Sequence, residues 1–347
     1  MQETGRINMP LRVAINGFGR IGRILARIAW DNPHFEVVAI NSRSEADIYA
    51  HLLKYDSIYG PWEHEVSYRD NSALIIDGKE VPLHHEDEVE KAPWSGYDVD
   101  VVIESTGVFR DRETSEKHME AGAKYVVISA PAKDEDITMI YGINHTAFDP
   151  QRHRVISAAS CTTTCAAPVV RTLHDTFGLA HGYISTAHAY TNDQHLVDHP
   201  HRKHDFRRSR AASLSIVPTE TGAAKTIGKL IPELRGKLDG IALRVPVEIV
   251  SVVNFVGELQ RTATVEEVNN SFREAARERF PKSLTVSELP LVSVDHTRTS
   301  FGSVVDALST QVIDGTLVSI LAWYDNEWGY VTQLAYLLEY MGEKINV

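Results

Sequence analysis

The chain has 347 residues, 43% of them hydrophobic, and 35 Lys and Arg against 47 Asp and Glu give a net charge of −12. That length predicts two domains of ~150 residues each, the composition excludes a disordered chain, and the charge excludes a general nucleic-acid binder, which needs a basic face. The two cysteines, Cys161 and Cys165, are too few and too close for a disulfide framework, and no apolar run approaches the ~18 residues of a membrane span.

The N-terminal residues 1–10 are polar and lack the apolar stretch of a secretory signal. Met9 is a possible start, with residues 1–8 a disordered extension, and the expectation is a soluble cytoplasmic protein. Residues 11–16 then form a short apolar run, followed at once by Gly17-Phe18-Gly19-Arg20-Ile21-Gly22. A helical pattern through Ile24, Leu25, Ile28 and Ala29 and a second β run over 35–41 complete a βαβ unit, the context in which Gly-x-Gly-x-x-Gly marks a dinucleotide site. Gly17 permits the tight turn, Gly19 lets a pyrophosphate approach the backbone, and Gly22 lets helix pack on strand.

The second strand ends in Asn41-Ser42-Arg43, where a site specific for NAD usually carries an acid for the ribose hydroxyls. Without that carboxylate, a 2′-phosphate meets less repulsion, and Arg43 offers it a counter-charge. The alternative has Arg43 in solvent and Asn41 alone holding the ribose. Residues 73–85 read as a hairpin insertion turning at Asp77-Gly78. Strand–helix alternation resumes with a strand at 100–104, a helix at 113–121 and a strand at 124–129. This places Thr106 and Ser129 just beyond strand carboxyl ends, where open α/β sheets bind ligands.

Ser160-Cys161-Thr162-Thr163-Thr164-Cys165 then opens a helix, with Ser160 as N-cap and Ala166, Ala167, Val169, Val170 and Leu173 as its apolar face. A thiol at that position faces backbone N–H groups and the positive end of the helix dipole, which favour thiolate. The threonines are poor helix formers, so their hydroxyls are expected to face ligand oxygens. Long β-branched strands follow at 181–190, 239–246, 249–260 and 316–324, with helical stretches at 264–280 and 329–341. They predict an antiparallel sheet with helices on one face. Residues 191–220 show little periodicity, the mark of a functional loop or a subunit contact. The histidines of the 198–206 loop have no Cys or acidic partners at zinc-type spacing, so a polar interface loop is expected and no metal.

Taken together, Ile15–Arg23, His51-Leu52-Leu53-Lys54-Tyr55-Asp56-Ser57, Ala159–Cys165, Thr186-Ala187-His188-Ala189-Tyr190-Thr191-Asn192-Asp193-Gln194, Thr221-Gly222-Ala223-Ala224-Lys225, Arg244-Val245-Pro246 and Trp323-Tyr324-Asp325-Asn326-Glu327-Trp328-Gly329-Tyr330 closely resemble phosphorylating glyceraldehyde-3-phosphate dehydrogenases over nearly the full length. The resemblance implies an α/β protein. A Rossmann-type cofactor domain over 1–159, completed by a C-terminal helix at 326–347, joins an α+β catalytic domain over 160–325 with a mainly antiparallel sheet. It implies Cys161 as nucleophile and His188 as base. Thr191, Arg208 and Arg244 would hold the substrate phosphate, while Ser160, Thr162, Thr221 and Gly222 line the attacking-phosphate site and Arg210 forms a salt bridge. Asn16, Arg20, Ile21 and Asn326 would join the glycines, Asn41, Ser42, Arg43, Thr106 and Ser129 at the cofactor, and Tyr324 would pack beside the Cys–His pair.

Most members carry Asp at the position of Ser42 and Asn at that of Thr164. The first departure points to NADP or dual NAD and NADP use; the second predicts only altered packing. A homotetramer acting on a phosphorylated aldehyde and inorganic phosphate is implied, without nucleic-acid or membrane partners. Erythrose-4-phosphate dehydrogenase is the neighbouring reading, although residues 221–225 resemble the first enzyme more. A non-catalytic nucleotide-binding protein is the reading of another class, and retention of Cys161, His188, Asn326 and both arginines speaks against it.

Overall fold

Alternating apolar runs and amphipathic segments organise the chain into two units in a computed structural model, which describes residues 9–345. The anticipated extension over residues 1–8 lies outside the described residues. One unit comprises the chain up to Met139, residues 145–158 and the chain from Leu334 onward; the other comprises residues 140–144 and 159–333.

Besides a two-stranded antiparallel pair, Tyr55–Asp56 with Gly60–Pro61, the described strands of the first unit are β1 (Leu11–Asn16), β2 (Phe35–Asn41), β3 (Val66–Arg69), β4 (Ala73–Ile76), β5 (Lys79–His84), β6 (Val101–Glu104), β7 (Tyr125–Ile128), β8 (Ile137–Thr138) and β9 (Val155–Ser157). They form one sheet in the order β8-β9-β7-β6-β1-β2-β5-β4-β3. Pairing is parallel from β8 through β5, and β3–β4–β5 is an antiparallel meander. The β4–β5 hairpin turns at Asp77 and Gly78, both at positive φ. The helices here are α1 (Arg20–Trp30), α2 (Ala46–Lys54) and α3 (Arg112–Glu120). α2 is not among the elements read from the sequence, although Ala46, Tyr49, Ala50 and Leu53, its buried face, recur at helical spacing.

The glycine motif behaves as its spacing predicts. Gly17 has φ +96°, and a Cβ there would sit 2.7 Å from the Thr106 backbone nitrogen. A Cβ on Gly22 would lie 2.4 Å from the Gly17 carbonyl oxygen and 3.0 Å from Ile15. Around Gly19 the same atom would meet nothing within 4 Å, which leaves room for a ligand against the backbone.

The second unit holds α4 (Cys161–Phe177), β10 (Leu179–Ala189), β11 (Val217–Glu220), α5 (Ala223–Leu230), β12 (Leu238–Val245), β13 (Ser251–Leu259), α6 (Val265–Glu274), β14 (Leu284–Ser287), β15 (Ser303–Asp306), β16 (Gln311–Ile313) and β17 (Leu317–Tyr324). The sheet order is β11-β12-β10-β13-β17-β15-β14, with β16 on β17. α4 buries Cys165, Ala166, Val169, Val170 and Leu173 in a core shared with Ile184, Phe255, Ile320 and Phe272 of α6. The sheet is mainly antiparallel, but β10 pairs with β12 in parallel. Residues 217–220, read as part of an aperiodic loop, form an antiparallel edge strand on β12. That placement suits Pro218, which cannot donate to a ladder.

The last helix, α7 (Trp328–Ile345), starts one residue before the helical pattern at 329–341 and two residues after the start at 326 that the resemblance implied. Only from Leu334 onward does it belong with the first unit, so the expected boundary at residue 326 moves into the helix.

Candidate active site

The chain enters α4 through Ala159, a non-glycine residue at φ +57°. Ser160 follows as N-cap, its side chain accepting from the Thr163 amide at 3.2 Å. Cys161 is therefore the first helical residue, half-buried, with its Sγ 3.4 Å from His188 Nε2. His188 is buried near the end of β10, directly opposite Arg244 in the parallel β10–β12 register. Arg244 Nη1 lies 2.5 Å from His188 Nδ1 and donates to the Ala189 carbonyl at 3.1 Å.

Charge in this cluster differs from the helix-terminus expectation. Burial pushes the Cys161 thiol up, opposed by the Arg244 charge and by hydrogen bonds involving Thr162. Burial, then the Arg244 charge, pushes His188 down to about 3, against the Ala189 carbonyl. Both shifts share one cause: burial disfavours the thiolate and the imidazolium alike. The dipole argument omitted this enclosure, which a linear pattern does not display. Cys165 is fully buried, and burial pushes its thiol up as well.

The three threonine hydroxyls also differ from expectation: all are engaged within the protein. Thr162 bonds the Tyr324 hydroxyl at 2.9 Å, Thr163 bonds Ser160 Oγ at 2.8 Å, and Thr164 donates to the Ser160 carbonyl at 3.1 Å. Buried hydroxyls need partners, and within one turn of a cap these are the nearest. Tyr324 also bonds Thr186 at 2.9 Å, and its ring meets His188 edge-on at 5.9 Å. Ser251, which no sequence signal marked, accepts from the Ala189 amide and donates to Asn326 Oδ1, both at 3.0 Å. It follows Val250, a β-branched residue held at φ +65°.

Arg208 donates to Asp193 at 2.6 Å, and Asp193 also meets His201 at 3.3 Å. Arg208 and Asp193 both act on the charge of Arg244, which places the two arginines in one electrostatic neighbourhood. Arg210 pairs instead with Asp198 at 2.9 Å. Thr191 is half-buried beside the Asp193 turn, its Oγ1 3.4 Å from that residue's amide. Thr221 Oγ1 accepts from the Ala223 amide at 3.3 Å, and Gly222 caps α5 without a side chain.

In the first unit, a cavity of about 270 Å³ is lined by Gly17, Gly19, Asn41, Ser42, Thr106 and Phe109, among others. Glu104 is buried behind the lining residues Asn16 and Thr106, accepting from Asn16 Nδ2 at 2.6 Å and from the Thr106 amide at 2.8 Å. Asn16 in turn accepts from Asn41 at 2.8 Å. α1 begins at Gly19 with no side-chain cap, an arrangement that suits a phosphate. Open room at Gly19, the crowded Gly17 turn and the uncapped helix together fit a dinucleotide.

Some expected contacts fall elsewhere. The Arg20 side chain bonds Asp56 rather than lining the cavity, and Ser129 Oγ donates to the Glu104 carbonyl at 3.0 Å. Ile21 and Gly22 are not among the cavity-lining residues. Ser42 Oγ accepts from the Phe18 amide at 3.1 Å and bonds the Tyr49 hydroxyl. Arg43 pairs with Asp87 at 2.7 Å, with 81% and 73% of the two side chains exposed. The acids at this cavity, Glu86 and Asp87, come from the chain after β5 rather than from the end of β2. No helix among the described residues is long and apolar enough to cross a membrane. Among those residues, the possible metal ligands that cluster are Asp31, Glu63 and His64, none of them from the 198–206 loop.

Residues 11–112 match the family model described as glyceraldehyde 3-phosphate dehydrogenase, NAD binding domain, and residues 160–326 match its C-terminal domain. The chain is 51% identical to glyceraldehyde-3-phosphate dehydrogenase of Geobacillus stearothermophilus over 97% of its own length and 99% of that protein. It is 48% identical to glyceraldehyde-3-phosphate dehydrogenase 1 of Bacillus subtilis (strain 168), with the same coverage. Against glyceraldehyde-3-phosphate dehydrogenase 2 of Trichormus variabilis the identity is 46%, over 96% and 99%.

The accessibility difference between the two cysteines gives a direct check. Iodoacetamide should modify the native protein at Cys161 alone, and peptide mass spectrometry should find Cys165 unlabelled until unfolding. Equal labelling of both would contradict the burial of Cys165.

Proposed function

The chain belongs to the glyceraldehyde-3-phosphate dehydrogenase family, and from that membership we propose that it oxidises glyceraldehyde 3-phosphate, with inorganic phosphate and NAD or NADP, to 1,3-bisphosphoglycerate. The observation that carries the reading is the placement of Cys161 Sγ 3.4 Å from His188 Nε2 at the start of a capped helix.

An aldehyde cannot release hydride until a nucleophile adds to its carbonyl. Cys161 Sγ forms the new C–S bond while the carbonyl π electrons move to oxygen, giving a thiohemiacetal. His188 Nε2 takes the thiol proton and passes it to the alkoxide oxygen, which completes the thiohemiacetal. The ring, neutral again, then removes that hydroxyl proton as the carbonyl re-forms and hydride leaves. Bound nicotinamide supplies the acceptor for the hydride leaving that carbon. Phosphate oxygen then attacks the resulting thioester, the C–S bond breaks, and Cys161 regains its proton from His188. Arg208, Arg244 and Thr191 hold the substrate phosphate in this reading, because guanidinium and hydroxyl donors match phosphate oxygens. Ser160, Thr162, Thr221 and Gly222 serve the attacking phosphate, Ser160 and Thr162 by exchanging their bonds to Thr163 and Tyr324 for phosphate oxygens. Asn326, held by Ser251, orients the nicotinamide carboxamide.

Turnover of glyceraldehyde 3-phosphate should depend on inorganic phosphate and exceed that of erythrose 4-phosphate; the reverse preference would favour the erythrose reading. Cys161→Ser should abolish turnover while cofactor binding persists, and His188→Asn should slow acylation by roughly 10²–10⁴, the usual worth of a positioned base. Cys161→Ser retaining activity within about tenfold of wild type would remove Cys161 as nucleophile.

Dual cofactor use rests on Arg43. Its exposed pair with Asp87 contributes only about 0–1 kcal/mol, whereas a charge-assisted bond to a 2′-phosphate contributes about 1.5–3 kcal/mol. Arg43 can therefore exchange one anion for the other. NADP should be used at least as well as NAD. Ser42→Asp should shift preference to NAD, Arg43→Ala should weaken NADP selectively, and Asp87→Asn should strengthen it. A kcat/KM for NAD more than about a hundredfold above that for NADP would defeat this.

The quaternary proposal is a homotetramer. Leu196, Val197, Phe206, Leu214 and Ile216 are between 65% and 85% exposed in one protomer, an apolar set that a subunit contact would cover. Light scattering at micromolar concentration should give four times the protomer mass, and a monomer mass would leave these residues unexplained.

A further inference from the structure

Behind the cavity of the first unit three buried side chains stand in line. Glu104 ends β6, His118 lies on α3 and Trp94 opens the short turn Trp94–Tyr97; none of the three is more than 1% exposed. Trp94 Nε1 donates to His118 Nδ1 at 3.1 Å, and His118 Nε2 lies 3.3 Å from Glu104 Oε2. An indole N–H can only donate, so Nδ1 is the accepting nitrogen and the ring's proton sits on Nε2. There it meets a carboxylate oxygen, which can only accept. The two contacts ask for the same tautomer.

One end of this line is anchored in the core. Trp94 packs among Ala14, Val102 and Ala121. A Cβ on Gly122 would sit 2.6 Å from the Ser95 amide nitrogen, so the chain leaving α3 lies directly against the turn that carries Trp94. The other end faces the cavity. The Glu104 carboxylate also accepts from Asn16 Nδ2 at 2.6 Å and from the Thr106 amide at 2.8 Å, and the Thr106 hydroxyl accepts from the Val108 amide at 3.1 Å. Residues 105–111 connect β6 to α3, and Ser105, Thr106, Val108 and Phe109 of that loop line the cavity. The bond between His118 and Glu104 therefore clamps together the two elements from which the lining loop hangs.

We propose that His118 and Trp94 are positioning residues for the cofactor, which brace the 105–111 loop through Glu104, a role that rests on the reading of this cavity as the dinucleotide site. A loop already held in place loses less conformational freedom when a ligand binds, so the brace acts on cofactor affinity and leaves the chemical step alone. Without the His118 donor, the Glu104 carboxylate is free to turn, and its bonds to Thr106 and Asn16 slacken together. The ring serves here by presenting one acceptor and one donor side by side. A glutamine amide offers the same pair.

Two measurements on the intact protein test this: hydrogen exchange read by mass spectrometry on the peptide covering 105–111, and calorimetric titration with NAD. His118→Leu should speed ligand-free exchange in that peptide. It should raise the Kd for NAD about tenfold, the order expected for one lost bond to a charged group, with kcat at saturating cofactor within about twofold of wild type. Trp94→Phe should shift exchange and Kd in the same direction by less, because the ring keeps its place but its proton is no longer confined to Nε2. His118→Gln should return both towards wild type, which a role in packing alone would not produce. Wild-type exchange and Kd in His118→Leu overturn the proposal, as does faster exchange spread equally over β1, β6 and β7, the mark of a general loss of stability. If His118→Leu does not fold, Trp94→Phe against wild type decides by the same two readouts. A wild-type 105–111 peptide that gains no protection from saturating NAD counts against the cavity reading, and the ligand-free exchange still decides the brace.

Discussion

Parallel pairing between β10 and β12 is the constraint on which the site depends. In a parallel ladder each residue of one strand has a fixed neighbour on the other, and here that register sets His188 beside Arg244. β13 pairs with the other side of β10 and brings Ser251 to the Ala189 amide. α4, packed on the same sheet through Val169, Val170 and Leu173, presents its first residue to the ring from above the strand end. A one-residue slip of β10 would turn His188 to the opposite face and separate it from Cys161.

Around this frame, polar groups in the interior are held by one another. Thr162, Tyr324 and Thr186 form a chain, and Ala189, Ser251 and Asn326 form another. Each bond contributes only about 0.5–1.5 kcal/mol net, but losing one partner strands a buried donor or acceptor at a larger cost. Such networks fix side-chain orientation more than they add stability. The positive φ values at Ala159 and Val250 lie at the residues just before Ser160 and Ser251, where the backbone is bent to deliver those hydroxyls.

In the first unit the comparable hub is Glu104. Its carboxylate accepts from Asn16 and the Thr106 amide, and Asn16 is tied to Asn41, so three strand ends are coupled beneath the cavity. Asn41 also reaches the chain after β5 by donating to the Glu86 carbonyl at 2.9 Å. That contact brings Asp87 to the rim, where it pairs with Arg43. The site thus carries acidic charge although β2 ends without an acid.

Local chemistry could be read directly from order in the chain. The Gly-x-Gly-x-x-Gly turn, the Asp77-Gly78 hairpin and the Ser160 cap each depend on residues within one turn or one βαβ unit, so their steric demands are written in consecutive positions. Cys161 stood out by its place at a helix start; the family resemblance added His188 and Arg244 to it and implied their roles without their geometry. What only tertiary structure decided depends on long-range packing. The parallel β10–β12 register, the engagement of the three threonine hydroxyls, Ser251 beneath Asn326, and Asp87 opposite Arg43 all join residues far apart in sequence. The protonation of the Cys–His pair belongs to the same class. A helix terminus seen alone favours thiolate, but the sequence does not display the burial that pushes the thiol up and the imidazole down.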